Sequence, residues 1–140
     1  MVRVKLDKTK SGKKRQEEDK VKKSITDLLD KHKWFWFKPP ANMYGGGGIS
    51  DILALKAGVF LAIEAKSKDN KPTALQKGFL QSVMAESGFG FVVNEENMFH
   101  LENWLDGFDN AVTAGMQKQM PQTEDGSKML NAIAAMTRPF

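Results

Sequence analysis

The stretch from Gly48 to Lys66 constrains this fold more than any other part of the chain. Two runs, residues 49–55 and 58–66, consist mainly of Ile, Leu, Val, Ala and Phe and are separated only by the turn Lys56-Ala57-Gly58. Each run is the length of a strand, and a short break ending in glycine is the spacing of a β-hairpin. The chain therefore contains an antiparallel strand pair, around which the remaining elements must pack.

Those elements follow from periodicity. Val21, Ile25, Leu28 and Leu29 recur at helical spacing and predict an amphipathic helix ending near Lys31. The aromatic-rich run Lys33-Trp34-Phe35-Trp36-Phe37, closed by Pro39-Pro40, predicts a first strand. After the hairpin, residues 73–87 carry Leu75, Phe79, Leu80, Val83 and Met84 on one side of a second helix, which Gly88 ends. Residues 89–93 are a short apolar run, as in a strand covered on both faces, and a third helix is expected over 95–105. This order of helix, three strands, helix and strand predicts an α/β chain of the α+β kind, a small mixed sheet with helices packed on it. Residues 1–14 read as a flexible basic arm and 15–106 as the folded domain. Residues 107–140 read as a helical and polar extension, whose methionines (Met116, Met120, Met129 and Met136) pack on the core or on a second subunit.

Length and composition narrow the chemistry. A chain of 140 residues supports one domain and one site. No apolar run approaches the ~20 residues needed to span a bilayer, and Met1 to Gln16 contain no secretory signal, so a cytoplasmic protein (host cytoplasm if phage-encoded) with no membrane partner is expected. With no cysteine and two histidines, thiolate chemistry and most histidine-built metal sites are excluded. Any metal must be held by oxygen, which favours Mg²⁺, Mn²⁺ or Ca²⁺. Ten of the 21 basic residues lie within the first 23 positions, an arm suited to phosphates, although a solvated tail has the same composition.

Charges interrupt the hairpin at one place. Alternation along a strand puts Glu64 and Lys66 on one face while Leu61, Ile63 and Ala65 point the other way. Asp51 begins the neighbouring strand, and in an antiparallel pair the start of one strand meets the end of the other. Buried charges require partners or a bound ion. Two carboxylates with a backbone carbonyl, that of Ala65, suit Mg²⁺, with Mn²⁺ as a substitute, and such a metal activates water and screens a phosphate's charge. Lys66 is then placed to position or deprotonate the attacking water, or to stabilise developing negative charge. An isolated E-x-K is more often a plain salt bridge; the glycine-rich approach to Asp51 and the hairpin spacing favour the metal site.

Gly48-Ile49-Ser50-Asp51, Ile63-Glu64-Ala65-Lys66 and the downstream Thr73-Ala74-Leu75-Gln76 resemble the PD-(D/E)XK nuclease pattern, specifically its VRR-NUC branch, which includes phage-type Holliday junction resolvase-like enzymes. Ser50 stands where that branch usually has proline. The resemblance, spanning residues 18–93, implies a restriction-endonuclease-like core and a metal-dependent DNA endonuclease selective for branched or distorted DNA. It also implies an acid on the first helix and a glutamine on the second. At ~100° per residue, Glu18 lies about 35° from the apolar stripe and Glu17 about 65°, which makes Glu18 the candidate. Gln76 is the glutamine, yet Thr73-x-x-Gln76 after Pro72 also fits a capping box, and the two roles are compatible.

Candidate nucleic-acid contacts are Lys13, Lys14, Arg15, Gly47, Gly48 and Lys68. The four glycines, 45–48, precede a strand and lack a following Gly-Lys-Ser/Thr, so they form a loop beside the site and no P-loop. The aromatic strand belongs more readily to a core or dimer interface than to base stacking, and neither His32 nor His100 is assigned a role. Cutting both strands of a junction requires two sites, most simply in a homodimer, and no organic cofactor is implied. The alternative is a non-catalytic DNA-binding accessory with the same fold.

Overall fold

The computed structural model describes residues 8–40 and 47–119. Expectations that fall on residues 1–7 and 41–46, and on the packing of Met116, Met120, Met129 and Met136, lie outside the described residues. In order, the elements are α1 (Lys8–Lys31), β1 (Phe35–Phe37), β2 (Ile52–Lys56), β3 (Val59–Ala65), α2 (Ala74–Ala85), β4 (Phe89–Val93) and α3 (Met98–Gln119). The strands form one mixed sheet in the order β1-β2-β3-β4. β1, β2 and β3 are antiparallel neighbours, whereas β4 joins β3 in parallel through the crossover helix α2. The class is thus mixed α/β, as expected from the sequence. Contacts divide the chain into a unit ending at Asp106 and a second from Gly107 onward, and the site lies in the first. In the second, Thr113 Oγ1 donates to the carbonyl of Asp109 at 2.9 Å, a bond within helix α3. Among the described residues no helix is long and apolar enough to cross a membrane.

The hairpin turn is tighter than three residues. Lys56 pairs with Val59, which leaves Ala57 (φ 51°) and Gly58 (φ 77°) as a two-residue loop with both φ angles positive. Such turns match the right-handed twist of the strands they join. Glycine adopts this backbone freely; alanine does so at a cost, because its Cβ crowds the next carbonyl.

Register sorts the side chains into two faces. Leu53 and Ala62 form a buried cluster with Leu80 of α2, against which Ile49, Phe79, Val83 and Val92 pack. The other face carries Ile52, Leu61, Ile63 and Val93, all buried, and α1 packs on β1 and β3 with its own buried stripe Val21, Ile25 and Leu29. Trp104 of α3 meets the rings of Phe89 and Phe91 at 4.9 and 5.3 Å and that of buried Trp34 at 6.0 Å.

Several expectations require correction. Lys8 to Lys14, assigned to the flexible arm, are the first turns of α1, since a run of Lys, Thr and Ser with one glycine holds nothing that stops a helix already anchored downstream. α3 starts at Met98 and runs well beyond 105. On α2, Leu75 and Met84 belong to the apolar stripe by spacing but are exposed, whereas Phe79, Leu80 and Val83 pack in the cluster with Leu53 and Ala62 of the sheet. Ser87 (φ 64°) supplies the left-handed residue that ends α2, with Gly88 following it. The aromatic run divides: Trp34 is core, Trp36 Nε1 donates to Asp30 at 2.7 Å, and Phe35 and Phe37 lie exposed together.

Candidate functional site

The acidic pair arises from the hairpin register. Ile52 pairs with Ile63, and one further step sets Asp51 opposite Glu64, on the face that α2 covers. The N–H of Ala65 donates to Asp51 Oδ2 at 2.9 Å, so the strand that carries Glu64 also orients the opposing carboxylate. An extended residue points its N–H and C=O to the same side, so the Ala65 carbonyl faces the Asp51 side as well. Asp51 Oδ1 is left to a cation, and Lys22 Nζ of α1 stands 3.5 Å from it.

Glu64 is 1% exposed. Its Oε1 accepts a 2.6 Å hydrogen bond from Gln76 Nε2 and lies 3.3 Å from Lys66 Nζ. Oε2 is buried with no hydrogen-bond donor among the described residues. Burial first, and the neighbouring Asp51 carboxylate second, push the Glu64 carboxyl from its ordinary 4.5 up to about 7, against the opposing pull of Lys66. A buried acceptor beside another carboxylate calls for a proton or a cation. The residues present therefore fit a hard divalent ion: two carboxylates and a carbonyl, all oxygen.

Gln76 performs both roles that its spacing allows. Thr73 Oγ1 accepts from the Gln76 N–H at 3.3 Å, the Gln76 Oε1 accepts from the Thr73 N–H at 2.8 Å, and the remaining amide group reaches Glu64. The cap fixes the amide so that its NH₂ faces the strand. Gly48 lets the incoming loop approach α2 closely, since a Cβ there would stand 3.2 Å from that of Leu75. Ser50, in the place of the expected proline, is buried with its hydroxyl unpartnered among the described residues.

Glu18 does not join this group. Its Oε1 accepts from Asn70 Nδ2 at 3.0 Å, and among the described residues no three His, Asp or Glu side chains come together as a ready cation cluster. One turn of helix explains the difference: Glu18 faces the 67–70 loop, and Lys22, four residues on and on the same face, is the α1 side chain at Asp51. The resemblance implies an acid from α1, for which the stripe angle favours Glu18 over Glu17; the α1 side chain found at Asp51 is instead Lys22, which the sequence did not single out. Of the proposed nucleic-acid contacts, Lys13 and Arg15 are exposed on α1, Lys14 lies 3.5 Å from Asn70, and Lys68 pairs with Glu96 at 3.0 Å. That pairing raises the Lys68 ammonium above its ordinary range. Gly47 borders a cleft of about 340 Å³ together with Lys22, Lys38, Pro39, Asp51 and Gln76.

No family model matches the chain, and no curated protein aligns with it significantly.

Proposed function

We propose that this chain is a divalent-metal-dependent nuclease that hydrolyses phosphodiester bonds in DNA, selective for branched or distorted structures and active as a homodimer. The observation that carries the reading is the Asp51–Glu64 pair, in which Asp51 lines a cleft and Glu64 lies buried with one oxygen that meets no donor among the described residues. Asp51, Glu64 and the Ala65 carbonyl would hold Mg²⁺ or Mn²⁺. The bound ion supplies an activated water and charge neutralisation at the phosphate.

The chain's own residues supply the rest. Gln76 and the Ala65 N–H hold the two carboxylates in fixed orientations, which lowers the reorganisation needed on binding. Lys66 is tethered to Glu64 and offers its ammonium either to the attacking water or to the charge that develops on phosphorus oxygens. The resemblance to VRR-NUC nucleases supports DNA as substrate, and so small a domain favours recognition of shape through phosphates over base reading.

The test is cleavage of four-way junction, flap, single-stranded and linear duplex DNA in Mg²⁺, with Asp51→Ala and Lys66→Ala as controls. We expect metal-dependent cleavage, strongest on branched DNA, reduced at least ~10²-fold in both variants. Robust cleavage unchanged in both would refute the site, and DNA binding without cleavage in Mg²⁺ or Mn²⁺ would refute the activity.

A further inference from the structure

Lys22 has no place in the expected site, yet it touches the centre of it. Its Nζ is 3.5 Å from Asp51 Oδ1 and 4.0 Å from Asp19 Oδ1, and its side chain is 25% exposed. The other Asp51 oxygen already accepts the Ala65 N–H, so Oδ1 is the less encumbered oxygen of Asp51 toward a cation. Lys22 also lines the cleft, as does one other basic residue among those described, Lys38. One ammonium thus contacts Asp51 and, like Asp51, lines the cleft that an incoming polyanion would enter.

We propose that Lys22 is a built-in counter-ion that exchanges between Asp51 and a substrate phosphate, and that this exchange couples metal binding to DNA binding. The inference rests on the reading of Asp51 and Glu64 as a metal site. Without metal or DNA, the ammonium neutralises Asp51 and limits the charge repulsion with Glu64. A divalent cation competes with it for Oδ1, and like charges at one carboxylate disfavour each other. Once displaced, Lys22 needs only side-chain rotation to face the cleft, since a lysine stem is long and flexible. A phosphate there accepts the ammonium and leaves Oδ1 free. Each ligand therefore strengthens the other by the same factor, because coupling between two binding sites is reciprocal.

The experiment uses the full chain and reads Mn²⁺ binding by electron paramagnetic resonance, alone and with a phosphorothioate-linked four-way junction that resists cleavage. In the wild type, DNA is expected to tighten Mn²⁺ binding. Lys22→Met keeps the stem and removes the charge. It is expected to bind Mn²⁺ roughly tenfold more tightly without DNA, the scale of one nearby charge removed from a partly exposed position, and to lose the enhancement by DNA. Lys22→Arg, which keeps the charge, is expected to retain the coupling. Lys22→Met that binds Mn²⁺ no better than wild type, or that keeps the coupling, overturns the proposal. Asp51→Ala separates the two levels: if it weakens Mn²⁺ binding while Lys22→Met does nothing, Lys22 alone is wrongly assigned. If Asp51→Ala leaves Mn²⁺ binding unchanged, the metal site itself falls, and the proposal with it.

Discussion

Replacing Glu64 with glutamine should make the metal-free protein more stable at neutral and alkaline pH. In the fold the Glu64 carboxyl titrates at about 7 instead of the ordinary 4.5, because it is buried and faces Asp51. A carboxyl with a raised folded-state value binds more protons folded than unfolded between those two pH values. Its contribution to stability is therefore intact below pH ~4.5 and declines as pH rises to ~7. At ~1.4 kcal/mol per unit, the loss is about 3 kcal/mol. Glutamine keeps an acceptor for Gln76 and Lys66 and places an NH₂ donor toward Asp51, with nothing to ionise. Urea unfolding in EDTA, run from pH 4 to 8 on both proteins, isolates the effect in the difference between them. The two should be nearly equal near pH 4 and diverge through pH 7, the variant becoming more stable. Added Mg²⁺ should then restore the wild type more than the variant, since a cation that holds both carboxylates ionised removes the penalty. A difference that is flat across this range, or that favours the wild type at pH 8, would refute the burial argument for Glu64.

Gln76 and Thr73 separate cap from site. Thr73→Ala removes one half of the capping box and should cost about 1 kcal/mol, whereas Gln76→Ala removes the other half together with the donor to a buried carboxylate and should cost about 2 kcal/mol more. Equal losses in chemical denaturation would show that the Gln76–Glu64 bond contributes nothing. In the hairpin, Ala57→Asn should stabilise the fold by about 1 kcal/mol, because asparagine tolerates the left-handed conformation that Ala57 adopts at φ 51°. The readout is a higher urea midpoint with unchanged slope; a lower midpoint would contradict the two-residue turn.

The centre of the site was legible because it depends on local geometry. Strand period and a short turn bring Asp51 opposite Glu64 and Lys66 beside it, whatever else the chain does. Thr73-x-x-Gln76 was equally readable, since a capping box spans only one helical turn, and its unused amide then reaches Glu64. Periodicity found the sheet strands and the buried face of α1 for the same reason. Where an element ends was less legible: Lys8 to Lys14 joined α1 because a helix anchored by Val21, Ile25 and Leu29 propagates back through residues with no strong preference against it.

Tertiary structure decided what depends on how far one element reaches over another. α2 covers only part of its face of the sheet, so Leu75 and Met84 remain exposed although they continue the apolar stripe, and Phe35 and Phe37 remain exposed beyond it. A single helical turn along α1 determines which side chain meets Asp51. The helix face is written in the spacing of its apolar residues, but the axial position of that face against the strand ends is set by long-range packing of α1 on β1 and β3. Sequence alone thus placed two carboxylates and a lysine together, and packing placed a second lysine, Lys22, against them.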